Sequence, residues 1–133
     1  MAESDLHAMH ILGVIHGQGT DESILLLEDE EHRHLAIPVG ICEAAAVESA
    51  INGTKTERPQ THDLLATLME RLGSPVSHVV IDDFSQGVYY ARIILQAEDQ
   101  KISIDSRPSD GVTIALKTQV PLFASEAVIA CGL

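Results

Sequence analysis

Hydrophobic and polar positions alternate in several short stretches of the chain, which is the pattern of strands with one buried face. The stretches that predict strands are residues 6–16, 23–28, 35–39, 76–84, 88–96 and 100–105, with a last short extended piece at 121–123. Turn residue types separate most of them, so antiparallel hairpins are the simplest arrangement. Pro38 lacks a backbone N-H, which favours an edge position for its strand.

Three longer stretches have apolar residues at helical spacing instead. They predict helices over 41–52, over 61–72 and from Pro108 onward, and a brief helix should follow Ser125. In the second of these helices we expect a buried apolar stripe formed by Leu64, Leu65, Leu68, Met69 and Leu72. The predicted fold class is α+β: a mainly antiparallel sheet with about four helices in a single compact domain over 1–133.

Composition and charge restrict the setting in which such a domain works. A chain of 133 residues that is 45% hydrophobic forms one domain with a substantial core. A formal net charge of -12 argues against a broad surface that wraps nucleic acid by releasing counterions. The chain has no apolar run of the ~18 residues that a membrane span needs and no secretory signal pattern, so we expect no membrane contact and a cytoplasmic location.

Cysteine spacing and the apolar C-terminus give two further expectations. Cys42 and Cys131 are far apart and lack metal-ligand spacing, so buried free thiols are favoured. Residues 121–133 are apolar enough either to pack on the sheet or to be covered by a partner, and we expect a homo-oligomer.

Two Arg-Pro corners carry most of the polar chemistry. In Asp105-Ser-Arg-Pro-Ser-Asp110, Pro108 suits the first helical position, Arg107 becomes the N-cap, and Ser109 and Asp110 fall in the first turn. The other corner, Arg58-Pro-Gln-Thr-His-Asp63, repeats these ingredients with Thr61 as the expected N-cap and adds an imidazole. Carboxylates around an arginine are suited to general acid-base catalysis or to phosphate recognition. In the alternative interpretation, the same residues form an N-cap and a structural Arg-Asp pair.

With these motifs in view, the chain resembles the bifunctional nuclease family, a bacterial and plant group assigned DNase and RNase activity. The resemblance is strongest over 35–127, and the matching pieces are Leu35-Ala-Ile-Pro-Val39 followed by Glu43-Ala44, Arg58-Pro-Gln-Thr-His-Asp-Leu-Leu65, Tyr89-Tyr-Ala-Arg92, and Asp105-Ser-Arg-Pro-Ser-Asp110 running into Leu116 and Pro121-Leu-Phe-Ala-Ser-Glu126. Gly111 stands where the family pattern has alanine. The resemblance implies hydrolysis of phosphodiester bonds, with nucleic acid as partner.

Candidate roles follow for the polar residues of both corners. His62 would be base or acid, the arginines would clamp phosphate oxygens, and the carboxylates would orient His62 or hold Mg²⁺ or Mn²⁺. The catalytic candidates are His62, Asp63, Asp105, Arg107 and Asp110. The substrate-binding candidates are Arg58, Thr61 and Ser109, and the metal-ligand candidates are Glu43, Asp105 and Asp110. Metal-assisted and metal-free routes both remain open at this point.

Two other functions use the same residues. The corners can be structural braces in a non-catalytic, oligomeric binding or regulatory module, or they can bind a small phosphate-bearing metabolite. Burial separates catalysis from bracing: Arg58, His62, Arg107 and Asp110 lining one open cleft would favour catalysis, whereas buried reciprocal pairs would favour bracing.

Overall fold

A single sheet of seven strands organises the molecule, whose computed structural model describes residues 5–18 and 22–131. The strands are β1 (Leu6–His16), β2 (Glu22–Asp29), β3 (His34–Gly40), β4 (Val76–Ser85), β5 (Val88–Ala97), β6 (Gln100–Ser106) and β7 (Leu122–Ser125). The helices are α1 (Ile41–Ile51), α2 (Thr61–Arg71), α3 (Pro108–Thr118) and α4 (Glu126–Cys131). The α+β prediction is confirmed, and the observed elements fall close to the predicted ranges.

The short strand β7 joins two antiparallel meanders into that one sheet. The strand order is β3-β2-β1-β7-β4-β5-β6, in which β7 pairs antiparallel with β1 and parallel with β4. Every other neighbouring pair is antiparallel. As predicted, β3 is an edge strand, with Pro38 opposite Ile24 of β2.

The helices α1 and α3 cover one face of this sheet and form the core with it. Along β5, alternate residues Tyr89, Ala91, Ile93 and Leu95 are buried, while Tyr90 and Arg92 are exposed. The consecutive tyrosines therefore face opposite sides of the sheet, as strand geometry requires. On α3, Val112 and Ile114 are fully buried, so this helix lies deepest in the core.

Three expectations about burial were wrong. The leucines of α2 are exposed, with Leu64 at 55% and Leu68 at 48%, because α2 packs mainly against α3 rather than on the sheet. In β6, Ile102 and Ile104 are exposed because β6 is the last strand, next to which no further element packs among the described residues. The free thiols of Cys42 and Cys131 are exposed rather than buried.

The C-terminal stretch packs against the chain itself. Val128 and Ile129 of α4 are buried, α4 packs on β4, and the Ser125 hydroxyl accepts a hydrogen bond from the Val128 amide at 3.2 Å. This is the predicted cap of a brief helix; residues 132 and 133 lie outside the described residues. In the described part of the chain, no helix has the length and apolar character needed to cross a membrane.

Candidate functional site

The first turns of three helices meet at one open cleft of about 520 Å³. Glu43 comes from α1, Thr61 and His62 from α2, and Ser109 and Asp110 from α3. The N-cap residues of α1 and α3, Gly40 and Arg107, make no side-chain hydrogen bond to their helices, whereas α2 begins with a capping box between Gln60 and Asp63. Because free N-H groups and the positive ends of helix dipoles gather there, the cleft can attract an anion despite the acidity of the whole chain.

A chain of hydrogen bonds joins His62, Asp110 and Arg107 in this cleft. His62 Nε2 lies 3.0 Å from Asp110 Oδ1, and the Arg107 guanidinium donates to both carboxylate oxygens, from Nε at 2.8 Å and Nη2 at 3.1 Å. Burial opposes ionisation of Asp110, but the bonds from Arg107 and His62 prevail and hold the pKa of that carboxyl below its usual value. An ionised Asp110 accepts a hydrogen bond from Nε2-H, so neutral His62 has its lone pair on Nδ1.

Arg107 keeps one end of its guanidinium available. Its Nη1 lies 3.8 Å from Glu43 Oε1, which is too long for a hydrogen bond, and its side chain is 64% exposed. Glu43 itself is fitted against Gly40, the N-cap of α1: a Cβ at Gly40 would lie only 2.6 Å from Glu43 Oε1. Gly40 therefore provides the space that the Glu43 carboxylate occupies beside Arg107.

The sequence-predicted residues are only partly brought together. Those that line the cleft are Glu43, Thr61, His62, Asp105, Arg107, Ser109 and Asp110. Asp63 instead lies outside the cleft. Its carboxylate accepts hydrogen bonds from Lys117 Nζ at 2.8 Å and from the backbone N-H of Gln60 at 2.9 Å. The second bond shows that Gln60, not Thr61, is the N-cap of α2. Arg58 is exposed in the loop before α2 and does not line the cleft.

Asp105 of β6 lines the edge of the cleft. It alternates in β6 with Ile104 and Ser106, which face the helices, so its side chain belongs to the opposite face of the sheet. Its cross-strand neighbour Arg92 lies on that face and donates to Ser103. The two Arg-Pro corners thus share a cleft through His62 and Asp110, not through Arg58 and Asp105.

The arrangement does not fit the suggested Mg²⁺ or Mn²⁺ ligands. In the described part of the chain, no three His, Cys, Asp or Glu side chains are grouped as a metal site. Of the three expected ligands, Asp110 is occupied by Arg107 and His62, and Asp105 faces away.

Sequence reasoning missed the apolar end of the cleft. This end is formed by Leu65 and Met69 of α2, Ile93 of β5 and Ile104 of β6. Their periodicity predicted only burial, and nothing in it distinguishes a cleft wall from a core. Lys117 was also missed, although its spacing of seven residues from Asp110 puts both on one side of α3.

Comparison with known proteins identifies the family of this chain. The model of the bifunctional nuclease domain matches residues 24–131. The chain belongs to this family. An uncharacterized protein of Mycobacterium tuberculosis is 37% identical over 92% of this chain and 73% of its own length. Bifunctional nuclease 1 of Oryza sativa subsp. japonica is 28% identical over 78% of this chain, and bifunctional nuclease 2 of Arabidopsis thaliana is 26% identical over 75%.

This chain covers only part of the plant relatives that it matches. This chain spans 33% of the Oryza protein and 32% of the Arabidopsis protein. The Mycobacterium relative is matched over most of its length instead. Family membership therefore identifies the domain in this chain.

Proposed function

We propose that this chain hydrolyses phosphodiester bonds of DNA or RNA, with His62 as general base. The observation that carries the proposal is the hydrogen-bonded series His62, Asp110 and Arg107 inside one open cleft. His62 is 16% exposed, so it is held by its partners yet reachable from the cleft. An imidazole fixed by a carboxylate on one nitrogen and open on the other is a common arrangement for proton transfer.

Each step of the reaction has a candidate group. His62 Nδ1 takes a proton from water as the water oxygen forms a bond to phosphorus, and Arg107 Nη1 and first-turn N-H groups of α3 stabilise the negative phosphoryl oxygens. The bond from phosphorus to the leaving oxygen then breaks, and the His62 imidazolium returns its proton to that oxygen. Asp110 stabilises the imidazolium while it exists and keeps Nδ1 directed at the substrate.

The charge distribution supports a short local contact with the polyanion. With a net charge of -12, the surface as a whole repels nucleic acid. The N-termini of three helices and Arg107 offset the carboxylates of Glu43 and Asp110 in the cleft, so one or two phosphates can bind there. We expect weak binding in which salt affects affinity only slightly, since few counterions are released.

Replacement of His62 by alanine should remove most of the hydrolysis, because the variant lacks the general base. Labelled single-stranded DNA and RNA are incubated with the parent and with His62→Ala, each in Mg²⁺, Mn²⁺ and EDTA. Loss of general base catalysis should lower kcat by about 100- to 10,000-fold. Asp110→Asn should also lower kcat, because the imidazolium that forms during the reaction loses its carboxylate partner.

His10→Ala is the matched control for contaminating nuclease, because His10 is exposed on β1 and does not line the cleft. It should retain the parent rate after identical purification. Equal activity in parent, His62→Ala and His10→Ala would contradict the proposal, as would an inactive parent. Activity in EDTA would show that protein groups suffice, and its absence would show that a metal takes part.

A second candidate is a binding module for a small phosphate-bearing ligand. It is favoured by the apolar end of the cleft, where Leu65 and Ile104 can cover a base or another flat group beside a phosphate held at Arg107. Calorimetry with a mononucleotide distinguishes the two functions. Binding that Arg107→Ala abolishes, in a parent that hydrolyses nothing, would favour the module.

We also propose that the chain is a homo-oligomer. Several apolar side chains of α2 and β6 remain exposed in the single chain, among them Leu64 at 55%, as does Leu72, the C-cap residue of α2, at 77%. Exposed apolar side chains grouped on one side of a molecule are typical of interaction surfaces.

A further inference from the structure

Exposed apolar side chains of α2 and β6 share one side of the molecule. Leu65 and Met69 of α2 and Ile104 of β6 border the same cleft, which relates the two elements in space. We call this side the β6-α2 face, formed by the exposed residues Leu64, Leu65, Leu68, Leu72, Ile102 and Ile104. Ile102 and Ile104 lie opposite Leu95 and Ile93 of β5 and so are on the helix-covered side of the sheet. They extend the core surface to the sheet edge.

The two edges of the sheet differ in how they are protected. The edge strand β3 carries Pro38 in its interior, which lacks the N-H that another strand would pair with. The opposite edge, β6, has no proline and is hydrogen-bonded to β5 alone among the described strands. β6 therefore offers a seven-residue ladder to an incoming strand.

We infer that a second copy of this chain occupies the β6-α2 face, with its own β6 pairing antiparallel across a two-fold axis at Ser103. Directly opposed residues of an antiparallel pair lie on the same side of the sheet. An axis that passed between two residues would oppose neighbouring residues of the strand, which point to opposite sides of the sheet. For identical strands the two-fold axis must therefore pass through a residue. Ser103 is the middle residue of β6, so this register pairs the strand along its whole length.

Charge complementarity selects this register. With the axis at Ser103, Lys101 faces Asp105 of the second copy twice by symmetry, and Ile102 faces Ile104. With the axis at Ile102, Asp99 would face Asp105, and with the axis at Ile104, Lys101 would face Arg107. Both alternatives oppose like charges and pair fewer residues of the strand.

The inference explains why the apolar surfaces of α2 and β6 are left uncovered in one chain. Each copy would add its Ile102 and Ile104 to the floor of the other's apolar surface, with the two α2 helices on either side. The partner would then close the apolar end of the candidate cleft. The inference rests on the homo-oligomer proposed above, and it stands whether or not the cleft hydrolyses nucleic acid.

A charge exchange tests the pairing. The parent should sediment at twice the 14.3 kDa of one chain. Lys101→Glu and Asp105→Lys should each raise the dimer dissociation constant by about 100-fold, since each opposes like charges at two symmetric positions. An equimolar mixture of the two variants should form a heterodimer, because the introduced glutamate then faces the introduced lysine.

A matched pair of isoleucine variants keeps the test decisive if a charge variant folds poorly. Ile102→Asp should give a monomer, whereas Ile15→Asp, at an exposed isoleucine of β1, should keep the parent mass. Circular dichroism melting verifies that each variant is folded. A monomeric parent would contradict the homo-oligomer itself. A parent oligomer that keeps its mass in Ile102→Asp, or shows no preference for the charge-exchanged mixture, would contradict only this surface.

Discussion

Gly111 shows how a single missing side chain sets the position of Asp110 beside it. A Cβ at this residue would lie 2.8 Å from Val79 Cγ1 of β4, and Val79 is fully buried. Glycine in a helix is less favourable than alanine by about 1 kcal/mol, so packing rather than helix propensity explains its presence. The absence of a Cβ lets the first turn of α3 approach the sheet closely, and Asp110 is held in that turn.

We therefore expect Gly111→Ala to lower the free energy of unfolding by roughly 1 kcal/mol, although alanine is the better helix former. The steric overlap with Val79 lowers the free energy of unfolding by more than the higher helix propensity of alanine raises it. Urea unfolding of the parent and the variant measures the difference. In a Val79→Ala background, which removes the overlapping methyl group, the same change should be neutral or stabilising. A more stable Gly111→Ala in the parent background would contradict this explanation.

The helix α2 is positioned by polar contacts more than by burial. None of its residues is fully buried, and its attachment to α3 includes the pair of Lys117 with Asp63 and that of His62 with Asp110. The hydrogen bond from Lys117 holds the pKa of Asp63 below its usual value, and the hydrogen bond from the backbone N-H of Gln60 lowers it further. Lys117 thus acts as a positioning residue, because it fixes the helix that presents His62.

Lys117→Ala should loosen α2 without unfolding the sheet. Loss of this charge-assisted bond should cost about 1 kcal/mol of local stability, so amides of α2 should exchange with deuterium several-fold faster while those of β5 stay protected. Lys55→Ala, at an exposed lysine in the loop before α2, is the matched control. Equal exchange of α2 in the two variants would show that Lys117 does not hold the helix.

Across the molecule, one network ties the first meander to the C-terminal helix. Arg33 donates to Asp29 of β2 from Nε at 2.8 Å and to Glu126 of α4 from Nη1 at 2.9 Å, and His7 of β1 lies 2.8 Å from Glu126. The bond from Arg33 lowers the pKa of Glu126. Burial opposes ionisation of Asp29, but its bonds with Arg33 and the Glu31 amide prevail and lower its pKa too.

Acid should therefore unfold the protein through these carboxylates. Because their folded pKa values lie below the ordinary 4.5 for Glu126 and 3.8 for Asp29, their contribution is present above those values and is lost as pH falls below them. Urea midpoints measured from pH 7 down to the acid range should decline there. In Arg33→Met the midpoint should be lower at pH 7 and the decline shallower. An unchanged slope would show that other carboxylates control acid unfolding.

Local patterns in the sequence were enough to predict the elements of this protein. Strand alternation, the Pro108 start of α3 and the edge position of Pro38 depend on neighbours within a few residues, and the structure confirms them. The two Arg-Pro motifs also contain His62, Arg107 and Asp110, although the sequence alone did not place these two motifs in one cleft. Such features are encoded by dihedral preferences and side-chain spacing, which do not depend on the rest of the fold.

Burial and proximity were decided only by the tertiary structure. The leucines of α2 and the isoleucines of β6 have the periodicity of buried residues, yet they are exposed because no later element of the described chain packs over them. Arg58 and Arg107 occupy similar motifs, but the loop before α2 leaves Arg58 outside the cleft. A periodic pattern specifies which side of an element is apolar; what that side faces depends on strand order and helix placement, which involve residues far apart in the chain.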